Sequence, residues 1–212
     1  MLESYNTIKS GGARHEIVIE KSRFITECFR TELEKDALGA IEDMRKKYPA
    51  ATHHCYAYNI GTETNFRRFN DDGEPSGTAG MPILNVITQN CLFNVTIIVI
   101  RYFGGVKLGA GGLTRAYSRA AAEAIKEAGI VRMQKSFEGS IEIDYHYLKN
   151  LENYLRKNEE AIKITDRQFD DRVKITLITK ENWDRVSEEI VNLCAGKALC
   201  AKLSELFYEW PA

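Results

Sequence analysis

The chain has no C-x-x-C pair, and its five cysteines (Cys28, Cys55, Cys91, Cys194 and Cys200) are odd in number and widely spaced. That pattern argues against a disulfide scaffold or a zinc site of the usual spacing and fits reduced thiols. No basic segment followed by an apolar one opens MLESYNTIKS, so no signal peptide is expected. The longest apolar run, VTIIVI at 95–100, is far too short to cross a bilayer. These absences predict a soluble, cytoplasmic protein with no membrane partner. Net charge is only −1, which argues against indiscriminate binding of polyanions.

What is present is enough for real cores. A length of 212 residues with 44% hydrophobic content predicts one or two domains. Charge is unevenly spread: residues 1–135 carry 18 Lys+Arg against 15 Asp+Glu, whereas 136–212 carry 11 against 15. Such asymmetry can orient a molecule near an anionic partner, although compositional scatter produces it as well.

The first half reads as strands and helices in alternation. RHEIVIE (14–20) and SRFITECFR (22–30) alternate partly and carry β-branched or aromatic residues. From Leu33 to Lys47 the apolar positions recur at helical spacing, and Pro49 closes the segment. THHCYAYNI (52–60) and the short NFRRF read as strands, and NVTIIVIRYF reads as a central strand buried on both faces. LTRAYSRAAAEAIKEAGI is a helix with an apolar stripe and Gly129 as its stop. VRMQKS (131–136) reads as a link. Beyond it the order strand, helix, strand, strand, helix, strand is the ferredoxin-like signature, with Asp170-Asp171 joining the middle pair as a hairpin. The expected organisation is α+β in two domains, 1–134 and 135–212.

Two loops invite chemistry. In RYFGGVKLGAGGLTR, Gly104, Gly105, Gly109, Gly111 and Gly112 crowd between a buried strand and a helix start. Glycine lets a ligand approach the backbone, and a helix N-terminus offers unpaired N–H groups that favour an anion. Arg101, Lys107, Arg115 and Arg119 lie in or beside the cluster. It is not a P-loop, because no Gly-Lys-Ser/Thr follows. It is not a dinucleotide fingerprint either, since Thr114 stands where a glycine is required. A steric role for the glycines in a tight strand-to-helix connection stays open beside anion binding.

The other loop, NDDGEPSGTAG (70–80), holds Asp71, Asp72, Gly73, Glu74, Pro75, Ser76, Gly77 and Thr78. Its carboxylates are candidate oxygen ligands for Mg²⁺, yet no EF-hand spacing is present and no nucleophile stands in register with a base. Asp-Asp-Gly and Glu-Pro-Ser-Gly are strong turn formers, so the turn reading outweighs the metal reading. His53 and Cys55 share one face of a strand while His54 points to the other, and two ligands do not make a metal site. Arg67 and Arg68 between Phe66 and Phe69 combine cation and aromatic, a short pattern that an amphipathic strand also explains.

Together, NDDGEPSGTAGMPIL (70–84) and VIRYFGGVKLGAGGLTRAYSRA (99–120) resemble the signatures of the IMPACT family in its bacterial YigZ-type branch. THHCYAYNI is similar to the histidine-containing strand of that family. The resemblance implies an N-terminal β-α domain similar to elongation factor G domain IV, a ribosomal protein's second domain and GHMP-type kinases. It also implies a C-terminal domain similar to elongation factor G domain V. Eukaryotic relatives act in translational control with an extra N-terminal partner-binding domain, which this sequence does not show before the family domain.

No catalytic residue, cofactor or metal is carried over by the resemblance. The expected function is a non-enzymatic module that binds RNA or the ribosome and modulates translation, with a protein partner in translational control as a further expectation. Arg101, Lys107, Arg115 and Arg119 would contact phosphates, supported by Arg67, Arg68 and the glycine-loop amides. The alternative is an enzyme or sensor for a small phosphorylated ligand held by the glycine loop.

Overall fold

A computed structural model describes residues 3–62 and 66–210. Asn65 of the NFRRF segment therefore lies outside the described residues. The chain forms two compact units, Met1–Arg132 and Met133–Ala212. Its elements in order are β1 (Ser4–Ile8), β2 (Ala13–Ile19), β3 (Ser22–Arg30), α1 (Glu34–Lys47), β4 (His53–Ile60) and β5 (Phe66–Asn70). Then follow α2 (Gly80–Gln89), β6 (Val95–Tyr102), α3 (Gly109–Ala128) and β7 (Ile130–Ile143). The remainder is α4 (Leu148–Lys157), β8 (Ile162–Phe169), β9 (Val173–Thr179), α5 (Trp183–Leu193) and β10 (Leu199–Glu209).

The first unit is built on an antiparallel sheet in the order β2-β3-β6-β4-β5. Strand period 2 sends alternate residues of β6 to opposite faces. Ile97 and Val99 join Phe24, Cys55 and the apolar faces of α2 and α3. Ile98 and Ile100 join Ile25, Tyr58 and the buried face of α1. The continuous apolar run of β6 thus has the cause inferred from sequence: helices cover the sheet on both sides. The alanine stripe of α3 (Ala116, Ala120, Ala121, Ala124) is buried against the sheet, where its small side chains let helix and strands approach. In α1, acidic residues in the first turn and basic ones in the last complement the helix dipole.

The second unit pairs its strands in the order β10-β7-β9-β8, all antiparallel. The fourth strand lies beside the first and the second is outermost, as the ferredoxin-like pattern requires. Leu151 and Leu155 of α4 and Trp183, Val186 and Ile190 of α5 pack onto Ile141, Ile143, Ile175 and Leu177. α5 starts on Asn182, whose side chain accepts from the N–H groups of Asp184 and Arg185.

Three sequence readings change. Residues 131–136 are not a link but part of β7, a strand within which the division between the units falls. Residues 80–89, read only as the tail of the acidic motif, form α2; Pro82 is tolerated because it lies in the first turn. α3 begins at Gly109, four residues ahead of the expected Leu113, so Gly109, Gly111 and Gly112 sit inside its first turn.

Gly139 of β7 shows how tightly the second core is filled, since a Cβ there would lie 2.0 Å from the Trp183 ring. Gly139→Ala is expected to destabilise this unit by about 1–3 kcal/mol through overpacking, read as a lower urea midpoint by tryptophan fluorescence. An unchanged midpoint would mean that the ring has room to move.

Candidate functional site

The acidic loop is a turn whose carboxylates face the protein. Asp71 Oδ1 accepts the N–H groups of Ala79 (3.0 Å) and Gly80 (2.8 Å), and its Oδ2 accepts that of Gly77 (2.8 Å). It thereby satisfies donors that the start of α2 leaves open. Gly80 is required by space, because a Cβ there would lie 2.8 Å from the Asn70 backbone. Asp72 adopts φ 44°, a conformation aspartate tolerates better than most residues. Its Oδ2 accepts the His54 N–H at 2.6 Å and its Oδ1 accepts from Arg45 of α1 at 2.7 Å. The Asp72 carbonyl takes the His53 ring at Nδ1 (2.8 Å), so Nδ1 carries the proton. Pro75 O accepts both the N–H and the hydroxyl of Thr78, while Ser76 is exposed.

Glu74 turns the other way, into the core. Its side chain is 4% exposed, and Oε1 accepts from Arg101 Nη1 at 2.6 Å and from the Tyr117 hydroxyl at 2.7 Å. Arg101 Nη2 donates to Ser22 Oγ, which also accepts the Gly104 N–H. Arg101 Nε is buried with no hydrogen-bond partner. Its guanidinium lies 5.4 Å from the Phe24 ring centre and 5.6 Å from that of Phe103. Cys55 Sγ lies 3.3 Å from the Tyr117 oxygen and 3.0 Å from the Asp71 carbonyl. Burial pushes the Cys55 thiol and the Tyr117 phenol far above their ordinary ranges, so both stay protonated and act as donors. The two motif loops are therefore joined through one carboxylate.

Arg101 is buried and ion-paired, so it does not present the phosphate-binding surface assigned to it from sequence; it positions Glu74 and Phe103 instead. Gly104 serves sterics, since a Cβ would lie 2.0 Å from the Lys21 carbonyl group. Gly105 and Gly109 are exposed and take φ of 83° and 69°. Lys107 and Arg115 are exposed, whereas Arg119 is exposed but paired with Glu123 at 2.6 Å. Glu123 also takes the His15 ring, at 3.0 Å. Arg67 and Arg68 project from β5, the edge strand, with the Arg68 guanidinium 4.4 Å from the Phe66 ring centre.

Ser22, Arg45 and Phe103 escaped the sequence reading, as did the polar use of Tyr117. Only Tyr117 left a signal, a hydroxyl-bearing residue on an otherwise alanine-rich stripe. Neither α2 nor α3 has an acidic residue in its first turn or a cap from its own N-cap side chain, but only α2 receives a carboxylate from upstream, that of Asp71.

Removing one partner of a buried ion pair strands the other, so Glu74→Ala is expected to cost about 3–5 kcal/mol. Combining Glu74→Leu with Arg101→Met should recover most of that loss, both read by urea denaturation. A Glu74→Ala cost below about 1 kcal/mol, the value of an exposed pair, would deny the cluster its structural role. Burial, opposed by the Asp72 charge, holds the His54 pKa below the ordinary 6.5. In the window just below 6.5 the folded state binds fewer protons than the unfolded chain, so stability declines as pH falls through it. His54→Gln should flatten that decline between about pH 7.5 and about pH 5.5, measured as urea midpoints.

Residues 20–125 match the Impact N-terminal domain, and residues 141–197 match DUF1949, a domain of unknown function. The chain is 40% identical over 199 residues to the IMPACT family member YvyE of Bacillus subtilis (strain 168), covering 93% of this chain and 90% of that protein. It is 36% identical over 152 residues to the IMPACT family member YigZ of Escherichia coli (strain K12), covering 71% and 74%. The crystal structure of a hypothetical protein, 28% identical, matches over 96% of this chain and 99% of its own with a TM-score of 0.62. With both its domains matched in order and a relative aligned along nearly its whole length, this chain belongs to the IMPACT family.

Proposed function

We propose that the N-terminal unit binds RNA, free or within the ribosome, through its phosphates, and that the protein modulates translation without catalysing a reaction. The observation that carries this is the contrast between two helix starts in one domain. The N-terminus of α2 meets the Asp71 carboxylate, which accepts the N–H groups of Ala79 and Gly80 at the helix start and of Gly77 in the turn before it. The N-terminus of α3 is uncapped, exposed and free of acidic residues in its first turn. Its unpaired N–H groups and positive dipole end favour an anion. Lys107 and Arg115 stand exposed beside it, and neither forms an ion pair with a described residue.

Gly111 supports the same reading. Glycine inside a helix costs about 0.8–1.0 kcal/mol relative to alanine. Yet Gly111 does not take a positive φ, and a Cβ there would meet only the mobile tip of Arg115 at 3.4 Å. Internal packing supplies no reason for it, whereas a phosphate approaching the backbone does. A small phosphorylated ligand would use the same turn. The inward commitment of Asp71, Asp72 and Glu74 leaves that ligand without carboxylates to hold a metal, which favours the RNA reading.

RNA affinity measured across salt concentrations tests this. Binding should weaken as salt rises, and Lys107→Ala with Arg115→Ala should reduce the slope of log Kd against log salt by about 0.7 per lost phosphate contact on single strands. Gly111→Ala should raise thermal stability while weakening RNA binding. Absence of binding at low salt, or an unchanged slope in the double variant, would overturn the reading.

A further inference from the structure

We infer that Phe103 is a stacking platform for one base of single-stranded RNA, set beside the phosphate-binding turn; this rests on the RNA-binding reading above. An isolated exposed aromatic is ordinary on a protein surface. Phe103 is 47% exposed, and what sets it apart is how firmly it is held there. Its own N–H donates to Thr52 Oγ1 at 3.0 Å, and the next N–H, of Gly104, donates to Ser22 Oγ. Gly104 lies so close to the Lys21 carbonyl that the chain can take only this course with a residue lacking Cβ. The ring lies against Arg101, whose guanidinium is immobilised by Glu74 and Ser22.

The Arg101 guanidinium lies 5.4 Å from the centre of a fully buried ring, Phe24, and 5.6 Å from that of a half-exposed one, Phe103. A nucleobase laid on the exposed part of Phe103 adds a further π-face to this cluster. Aromatic platforms backed by cationic grooves bind single-stranded nucleic acid in this manner, because every base presents a π-face. Charge complementarity selects the occupant. Lys107 follows four residues later, within about 14 Å of extended chain, and Arg115 lies about 9 Å along α3 from Gly109. A duplex keeps its base faces stacked and paired, so it has nothing to lay on the ring.

The discriminating experiment is fluorescence anisotropy on the full chain, with a labelled single-stranded oligoribonucleotide and with the duplex of the same sequence. Phe103→Ala is expected to weaken single-strand binding about 5- to 150-fold, the range for losing one stacked base. The salt slope should stay as in the wild type, because no phosphate contact is lost. Phe103→Tyr, which keeps the π-face, should retain single-strand affinity, and duplex affinity should be unchanged in both variants.

Single-strand affinity unaffected by Phe103→Ala, as expected if the ring docks a protein side chain instead, would overturn the inference. So would an equal loss for single strand and duplex, which would make the ring a structural support. If these results came with normal sensitivity to Lys107→Ala and Arg115→Ala, the RNA reading would stand and only the platform would fall. If the wild-type chain binds no RNA at low salt, both fall together.

Discussion

The N-terminal unit depends on a buried contact between one carboxylate and two donors. Glu74 reaches out of a surface turn to Arg101 at the end of β6 and to Tyr117 in the middle of α3. Both charges are out of water, so each tolerates burial only while the other is present. Nearly every other feature of the two motif loops follows. Arg101, once fixed, draws in Ser22, and Ser22 in turn holds the Gly104 backbone. Tyr117 links the carboxylate to Cys55 on β4, and Cys55 approaches the Asp71 carbonyl.

This arrangement gives the acidic loop a division of labour that its composition does not suggest. Asp71 works on α2, Asp72 ties the turn to β4 and to α1, and Glu74 reaches through the surface to the second motif. Three carboxylates in four residues look like a metal cradle when read in a line. In three dimensions they diverge, because Asp72 and Gly73 take positive φ and turn the chain between them. The charge that carboxylates would place at a helix start is spent on α2, leaving α3 as the open, cation-flanked end. That asymmetry is what the proposed RNA face rests on.

Much of the fold was legible in advance. β3 spans the residues its alternation marks, 22–30, and β6 is central because its apolar run leaves no polar face to turn toward water. The ferredoxin-like unit follows from the order of its segments and from the Asp170-Asp171 hairpin. α2 was hidden because its residues, GMPILNVITQ, open with glycine and proline inside a turn-rich motif, and its cap comes from a residue eight positions upstream of Ala79. The strand at 131–136 was hidden because VRMQKS lacks a clean alternation, while its backbone from Met133 onward is paired with β10.

By itself the sequence determined the fold class, the family and the two loops worth attention, because periodicity, turn chemistry and motif spacing are properties of neighbours along the chain. It could not assign the arginines. Arg101, Arg115 and Arg119 are the same residue within nineteen positions, yet one is buried on a glutamate, one is exposed beside an open helix end and one is paired along its helix. Each of those outcomes depends on what the folded chain brings alongside: Glu74 from twenty-seven residues away, the uncapped turn at Gly109, and Glu123 four residues on. Solvation and ion pairing are set by the three-dimensional neighbourhood, so only the tertiary structure separates the arginine that holds the site together from the one left to meet a partner.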